Sequence, residues 1–362
     1  MSKENISCSI ITLGLNHPLY SRADAFMNAM NSQLGIPKIS LRYRFSSPSL
    51  LMMISNIVAL FKLIHIIIIY KKRINILILF SITLIPSVYL LKKFKLIKYL
   101  IYDDADYMPI FAKRMLSKFL ISFLELLAIR NADVIVSVSE ILKKMRANVA
   151  KGKIIVIPNG VDEVFCQEKQ ANRVIDIVYL GAIDNDYIYL TITLEALAEF
   201  IKRHPRISVV FIGSGKDEKI LKEYARKFRE IKYFGKIKDR EKIASILSRA
   251  KIALAPYLVS GHARFGDPIK IKEYLVSSLC IVTTYIPSII LFLEKINAYY
   301  EIIGYPTPQN IIQAIERAYK NTTINENRLL YKQQLLKREL CREYNWITLS
   351  KRYIKSVFES LR

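Results

Sequence analysis

Short β-branched runs alternate with longer helical segments along most of the chain, and no other feature narrows the possible folds as far. The first runs are Ser9 to Leu13, Lys38 to Leu41, Ile76 to Phe80, Tyr99 to Tyr102, Val134 to Val138 and Ile154 to Ile157. Helical segments fall between them at Ala23 to Leu34, Ser49 to Tyr70, Ile85 to Phe94, Phe111 to Arg130 and Glu140 to Asn148. Strands that are apolar on both faces belong to parallel sheets covered by helices. Alternation of this kind predicts a doubly wound α/β sheet.

The pattern then restarts. Strands are expected at Ile175 to Leu180, Ser208 to Ile212, Lys232 to Phe234, Ile252 to Ala255 and Ile281 to Thr283. Their crossover helices are Ile188 to Arg203, Lys216 to Phe228, Arg240 to Ala250 and Pro268 to Ser278, and the chain beyond Thr307 reads as all-helical. Two α/β halves joined by the polar stretch Gln167 to Arg173 are the simplest organisation, and 362 residues suit two cores.

Composition limits the function classes. With 52% hydrophobic residues the chain is not disordered. Cys8, Cys166, Cys280 and Cys341 show no CxxC spacing and read as buried or spare thiols in a reducing compartment. His17, His65, His204 and His262 are too scattered for a zinc site, and no metal or cofactor is expected. The polar start Met1 to Asn5 lacks the pattern of a signal peptide. Leu50 to Tyr70 and Ile74 to Leu91 are apolar but interrupted by polar residues, so neither is expected to span a membrane. The formal charge is +24, and no acidic residue occurs between Asp24 and Asp103. A surface so basic attracts anions, chiefly an acidic membrane leaflet or phosphate-bearing lipids. Nucleic acid is disfavoured, because no nucleic-acid-binding motif is present.

Candidate functional residues sit where strands turn into helices, since open α/β sheets bind ligands outside the carboxyl ends of their strands. Gly14 follows the first run and allows close ligand approach, with His17 in the same turn as a candidate catalytic group. The turn is not GxGxxG, and GxxxxGK[ST] is absent, so neither a nicotinamide cofactor nor a P-loop is expected. Asp103, Asp104 and Asp106 follow the fourth run, where a carboxylate could take a proton from an acceptor hydroxyl, orient a sugar, bind a divalent cation or simply cap the helix before Pro109. Gly181 and Gly213 each end a strand and could turn backbone N–H groups toward phosphate oxygens.

The most specific stretch runs from Arg264 through Asp267-Pro268-Ile269-Lys270-Ile271-Lys272-Glu273. Asp267 is expected as the N-cap and Pro268 as the first helical residue. That helix start would offer N–H groups and a positive dipole end to a diphosphate. Lys270 in its first turn implies an anion beside it, and Glu273 lies on the same face.

Asp267 to Leu275, followed by Cys280 to Thr284, resembles the P-x-K-x-x-E-Y block of GT-B glycosyltransferases, especially family 4 (group 1) and its relatives. Ala132 to Ser139, Ile157 to Asp162 with Phe165, Gly181, Gly213-Ser214-Gly215, Phe234-Gly235, Ala255-Pro256 and Trp346 resemble further pieces of the family's pattern, in the family's order. The pattern is broken at Phe265, where the family carries a first acid, at Asp184 to Tyr187 and at Leu279-Cys280.

The resemblance implies a GT-B fold, two Rossmann-like domains facing a cleft. It divides the chain into an acceptor domain over residues 1–168, a nucleotide-sugar domain over 169–343 and a crossing helix over 344–362. It further implies that Glu273 holds ribose hydroxyls and Lys270 the diphosphate, with Arg264 as a helper. Gly14 would lie near the transferring sugar, and Asp103 or Asp104 would face the acceptor or the sugar. The expected activity is sugar transfer, leaning to retention, from a nucleotide-sugar to a glycan or polyprenol-type lipid acceptor. It would take place peripherally at the cytoplasmic face of a membrane. A nucleotide-sugar 2-epimerase is the alternative of the same fold. The sequence assigns no oligomeric state.

Overall fold

The computed structural model describes residues 10–16, 22–42, 48–70, 74–112, 114–167, 172–324 and 326–362. The chain forms two compact units, one of residues 1–159 with 346–362 and one of residues 160–345.

The first unit is built on strands β1 (Ile10–Asn16), β2 (Lys38–Arg42), β3 (Ile74–Leu79), β4 (Ile97–Asp104), β5 (Val134–Ser137) and β6 (Lys153–Val156), in the order β2-β1-β3-β4-β5-β6. All five pairings are parallel. Residues of both strand faces, such as Leu77, Ile78, Leu100 and Ile101, are fully buried, as helices on each side of a sheet require. The helices are α1 (Arg22–Leu34), α2 (Pro48–Tyr70), α3 (Ile85–Lys93), α4 (Met115–Asn131) and α5 (Glu140–Arg146). At the start of α5 the Ser139 hydroxyl accepts from the Leu142 N–H at 3.1 Å, so the cap is satisfied locally. The apolar stretch Ile74–Leu91 divides into β3, a 3-10 turn and the first part of α3. Among the described residues no helix is long and apolar enough to cross a membrane.

The second unit begins with the single-turn helix α6 (Glu163–Cys166). Its strands are β7 (Ile175–Leu180), β8 (Val209–Ile212), β9 (Ile231–Tyr233), β10 (Ala250–Ala255), β11 (Cys280–Thr284) and β12 (Tyr300–Ile303). They form a second all-parallel sheet in the order β12-β11-β10-β7-β8-β9. Around it lie α7 (Leu190–Arg203), α8 (Glu218–Lys227), α9 (Arg240–Ser248), α10 (Ile269–Val276), α11 (Pro287–Lys295), α12 (Pro308–Ile324) and α13 (Glu326–Glu343). Of these, α11 and β12 were not expected from the sequence. Tyr300-Glu301-Ile302-Ile303 is a short edge strand, and a charge on an edge hides the apolar run that marks central strands. The expected joining stretch Gln167 to Arg173 is described only in part, since 168–171 lie outside the described residues.

The last helix, α14 (Trp346–Leu361), returns to the first unit and packs on α1. Trp346 and Tyr353 both meet the Phe26 ring, with centroids at 5.0 and 5.3 Å.

The cysteine expectation is corrected at two positions. Cys166 on α6 and Cys341 on α13 form a disulfide, with Cα atoms 5.7 Å apart across a sequence separation of 175. Only Cys280 among the described cysteines is a free thiol, buried in β11. The pair is invisible to spacing rules because α13, at the far end of the unit, folds back onto α6. Substituting Cys341→Ser should lower the melting temperature by roughly 10 °C, on a loss of about 2–4 kcal/mol. Equal melting curves for the two proteins without reductant would contradict this.

Candidate active site

The order of the second sheet reverses between β7 and β10, and such a switch opens a crevice at the carboxyl ends of the two strands. Three things meet there. Gly181 follows β7, Pro256-Tyr257 follows β10, and α10 starts at Ile269. The Lys270 ammonium in the first turn of α10 lies 4.7 Å from the centre of the Tyr179 ring and 5.0 Å from that of Tyr257. It is also 3.5 Å from the Tyr179 hydroxyl. Burial pushes its pKa down to about 8, with Glu273 pulling the other way. A partly buried cation opposing the helix dipole is costly alone and becomes favourable once an anion joins it.

The two glycines make room for this cation. Both have φ of +143°, in the region that side chains rarely adopt. A Cβ on Gly181 would fall on the Lys270 ammonium and 3.0 Å from its Cε, while one on Gly213 would strike the Gly181 carbonyl. Their N–H groups, however, are not turned toward a ligand. Gly181 donates to the Ile212 carbonyl at 2.9 Å and Gly213 to that of Gly235 at 2.9 Å. The glycines therefore act by close approach rather than by donating.

The start of α10 also departs from the expected cap. Pro268 is the N-cap, and no side chain caps the first turn. Asp267 instead accepts two hydrogen bonds of 2.6 Å from Lys272, whose side chain is fully buried and needs a counter-charge. With no side-chain acceptor in place, the first turn of the eight-residue helix keeps its positive end available to an anion. Tyr274 ties the same helix to the sheet, receiving a hydrogen bond from the Leu180 N–H at 2.8 Å.

Glu273 is 2% exposed and its Oε1 pairs with Arg240, which also reaches Asp162 at 3.2 Å. Sequence reasoning missed Arg240, which lies 33 positions from Glu273 with no motif around it. Arg264 is exposed and its guanidinium lies over the Phe265 ring at 5.6 Å. His262 is held neutral, because burial and the Lys270 charge push its pKa down to about 4.

In the first unit, Gly14 lies inside β1 rather than in the turn after it, paired in register with Ser40. A Cβ there would come within 2.8 Å of the Met27 sulfur, so packing of α1 fixes this glycine. His17 lies outside the described residues. Asp103 accepts from Arg22 Nε and Nη2 at 2.8 and 3.1 Å, and Arg22 also donates to Asn159 at 3.2 Å. Asp104 accepts from Arg146 at 2.8 and 3.1 Å, and Arg146 reaches Glu125 at 2.7 Å. Both carboxylates are thus held in buried ion pairs. Asp106, two residues on and partly buried, forms no hydrogen bond or ion pair with the described residues. Burial first, then the nearby Asp104 charge, raises its pKa to about 7.

Residues 175–321, most of the second unit, match the family described as "Glycosyl transferases group 1". Phosphatidyl-myo-inositol mannosyltransferase of Mycobacterium tuberculosis, like that of Mycobacterium bovis, is 22% identical over 154 residues. That match spans 41% of this chain but only 39% of the mycobacterial protein. Sucrose-phosphate synthase from Thermosynechococcus elongatus superposes with a TM-score of 0.74 at 11% identity, over 97% of this chain and 98% of that one. Anabaena HepE in complex with UDP and glucose gives 0.67 at 12% identity, over 96% and 99%. The chain has the GT-B fold of these glycosyltransferases, and its second unit carries the group 1 match.

Proposed function

We propose that this protein is a glycosyltransferase that moves a sugar from a nucleotide-sugar to a lipid-linked or other anionic acceptor at a membrane surface, in glycan or glycolipid synthesis. One observation carries the reading: Lys270, which forms no ion pair with a carboxylate among the described residues, sits at the switch point of the second sheet on a helix start that no described side chain caps. This arrangement suits the diphosphate of a donor, and the charge that develops on the leaving diphosphate would be stabilised there. In this reading Glu273 accepts ribose hydroxyls through Oε2, and the observed pairing of Oε1 with Arg240 supports it by leaving that oxygen to the ligand. The mycobacterial relative's name and the basic, apolar first unit support a lipid acceptor. Retention of configuration belongs to this reading through the chain's resemblance to family 4, since the Pro268, Lys270 and Glu273 block is shared with inverting enzymes, and the anomeric configuration of the product tests it.

The carboxyl proposed to orient the acceptor hydroxyl is Asp106, because arginines already occupy Asp103 and Asp104. Asp106→Asn is expected to lower kcat by about 10²-fold while donor affinity stays the same. Activity should rise with pH as Asp106 ionises near its pKa of about 7 and fall as Lys270 loses its proton near about 8. Glu273→Ala should weaken donor binding about tenfold in a calorimetric titration, on about 1–2 kcal/mol of lost hydrogen bonding. Unchanged affinity in that variant would overturn the donor site.

A further inference from the structure

The helices α2, α3 and α4 form a layer on the first sheet, with α3 packed between the other two. Their inward residues, among them Ala59, Leu63, Val88 and Ala128, are fully buried. Their other faces carry large apolar side chains in the open. Phe61 is 69% exposed on α2, Phe94 is 71% exposed at the end of α3, and on α4 Met115, Leu116 and Phe119 are 91%, 80% and 72% exposed. Phe123, one turn beyond Phe119, is 54% exposed. Large apolar side chains concentrated on neighbouring helices mark an interaction surface rather than ordinary scatter.

The charge on the same helices is of one sign. Lys62, Lys93, Lys95, Arg114 and Lys118 are exposed among or beside these side chains. The layer's one acid is Glu125, which is buried against Arg146. An apolar face whose exposed charges on these helices, among the described residues, are all cationic is complementary to an anionic bilayer, where the rings enter the acyl boundary and the ammonium groups meet the headgroups.

We propose that the exposed face of α2, α3 and α4 docks this protein on an anionic lipid bilayer by inserting the α4 side chains Met115, Leu116, Phe119 and Phe123. The proposal gives the membrane part of the functional reading a defined surface, and it rests on that reading only for its purpose. Insertion adds an apolar contribution that screening by salt leaves in place.

The full chain is sedimented with vesicles of phosphatidylglycerol and phosphatidylcholine, and with phosphatidylcholine alone. The expected result is strong partition to the anionic vesicles, reduced but not abolished by high salt, and weak partition to the neutral ones. The double substitution Phe119→Ser with Phe123→Ser should lower partition at least roughly tenfold. The thermal stabilisation given by UDP- or GDP-sugars should match that of the wild-type protein in this variant, which shows that it is folded. Lys118→Glu should weaken binding to anionic vesicles only. Equal partition of the double variant and the wild type overturns the proposal, as does equal binding to neutral vesicles. Conversion of a dimer to a monomer with vesicle binding unchanged also overturns it, since the face would then join two copies of the chain. Failure to bind any nucleotide-sugar would count against the transferase reading and leave the vesicle result standing on its own.

Discussion

Replacing Lys270 by methionine is expected to lower kcat/KM for the nucleotide-sugar by about 10²- to 10³-fold, the loss of one preorganised charge at a leaving group. Methionine keeps the length of the side chain, so the packing against Tyr179 and Tyr257 survives and the charge alone is removed. Steady-state kinetics at pH 7 check this, and wild-type values would remove Lys270 from the reaction. The pH dependence gives a second handle. Burial holds Lys270 at about 8, so the ammonium is present below that pH and lost above it. Donor affinity should therefore fall as pH rises through about 8 in the wild-type protein and stay flat in the variant. Stability moves the other way. Between about 8 and the ordinary 10.5 the unfolded chain binds a proton that the folded one does not, so this group makes folding more favourable as pH rises.

Arg146→Met should destabilise the protein by about 3–5 kcal/mol and lower its melting temperature by roughly 10–15 °C. Arg146 lies between two carboxylates, Asp104 and Glu125, and its removal leaves both buried without their cation. Burial already raises Asp104 to about 6 although Arg146 pulls it down. Without Arg146 it rises further, and the folded variant then takes up a proton that the unfolded chain releases. That stabilisation is present at acid pH and is lost as pH rises through the folded pKa, so the deficit should be larger at pH 8 than at pH 5. Thermal melts at the two pH values test this, and a deficit independent of pH would contradict the account of the pair.

The sheets were legible in the sequence because parallel strands are buried on both faces, and runs such as Ile175 to Leu180 or Val134 to Val138 have no other explanation. The donor segment was legible for a similar reason. Lys270 in the first turn of a helix is locally unfavourable, and a local conflict of that kind points to a ligand. The partners of these groups were not legible, because the fold supplies them from far along the chain. Arg22 reaches Asp103 across 81 positions and Arg146 reaches Asp104 across 42. The cap at Asp267 was misjudged for a different reason. A side chain two places before the first helical residue can cap or pair, and full burial of the Lys272 ammonium decides for pairing. Asp106 became prominent only once its two neighbours were seen to be occupied.

Thermal denaturation of the wild-type protein with a panel of UDP-, GDP-, ADP- and dTDP-sugars tests the central claim most directly. The account predicts that at least one nucleotide-sugar raises the melting temperature by several degrees, as about 3 kcal/mol of binding at a hundredfold excess over Kd would do. It also predicts that Lys270→Met and Glu273→Ala abolish or greatly reduce that shift. No shift with any donor, or an equal shift in both variants, would contradict a nucleotide-sugar site at Lys270 and Glu273.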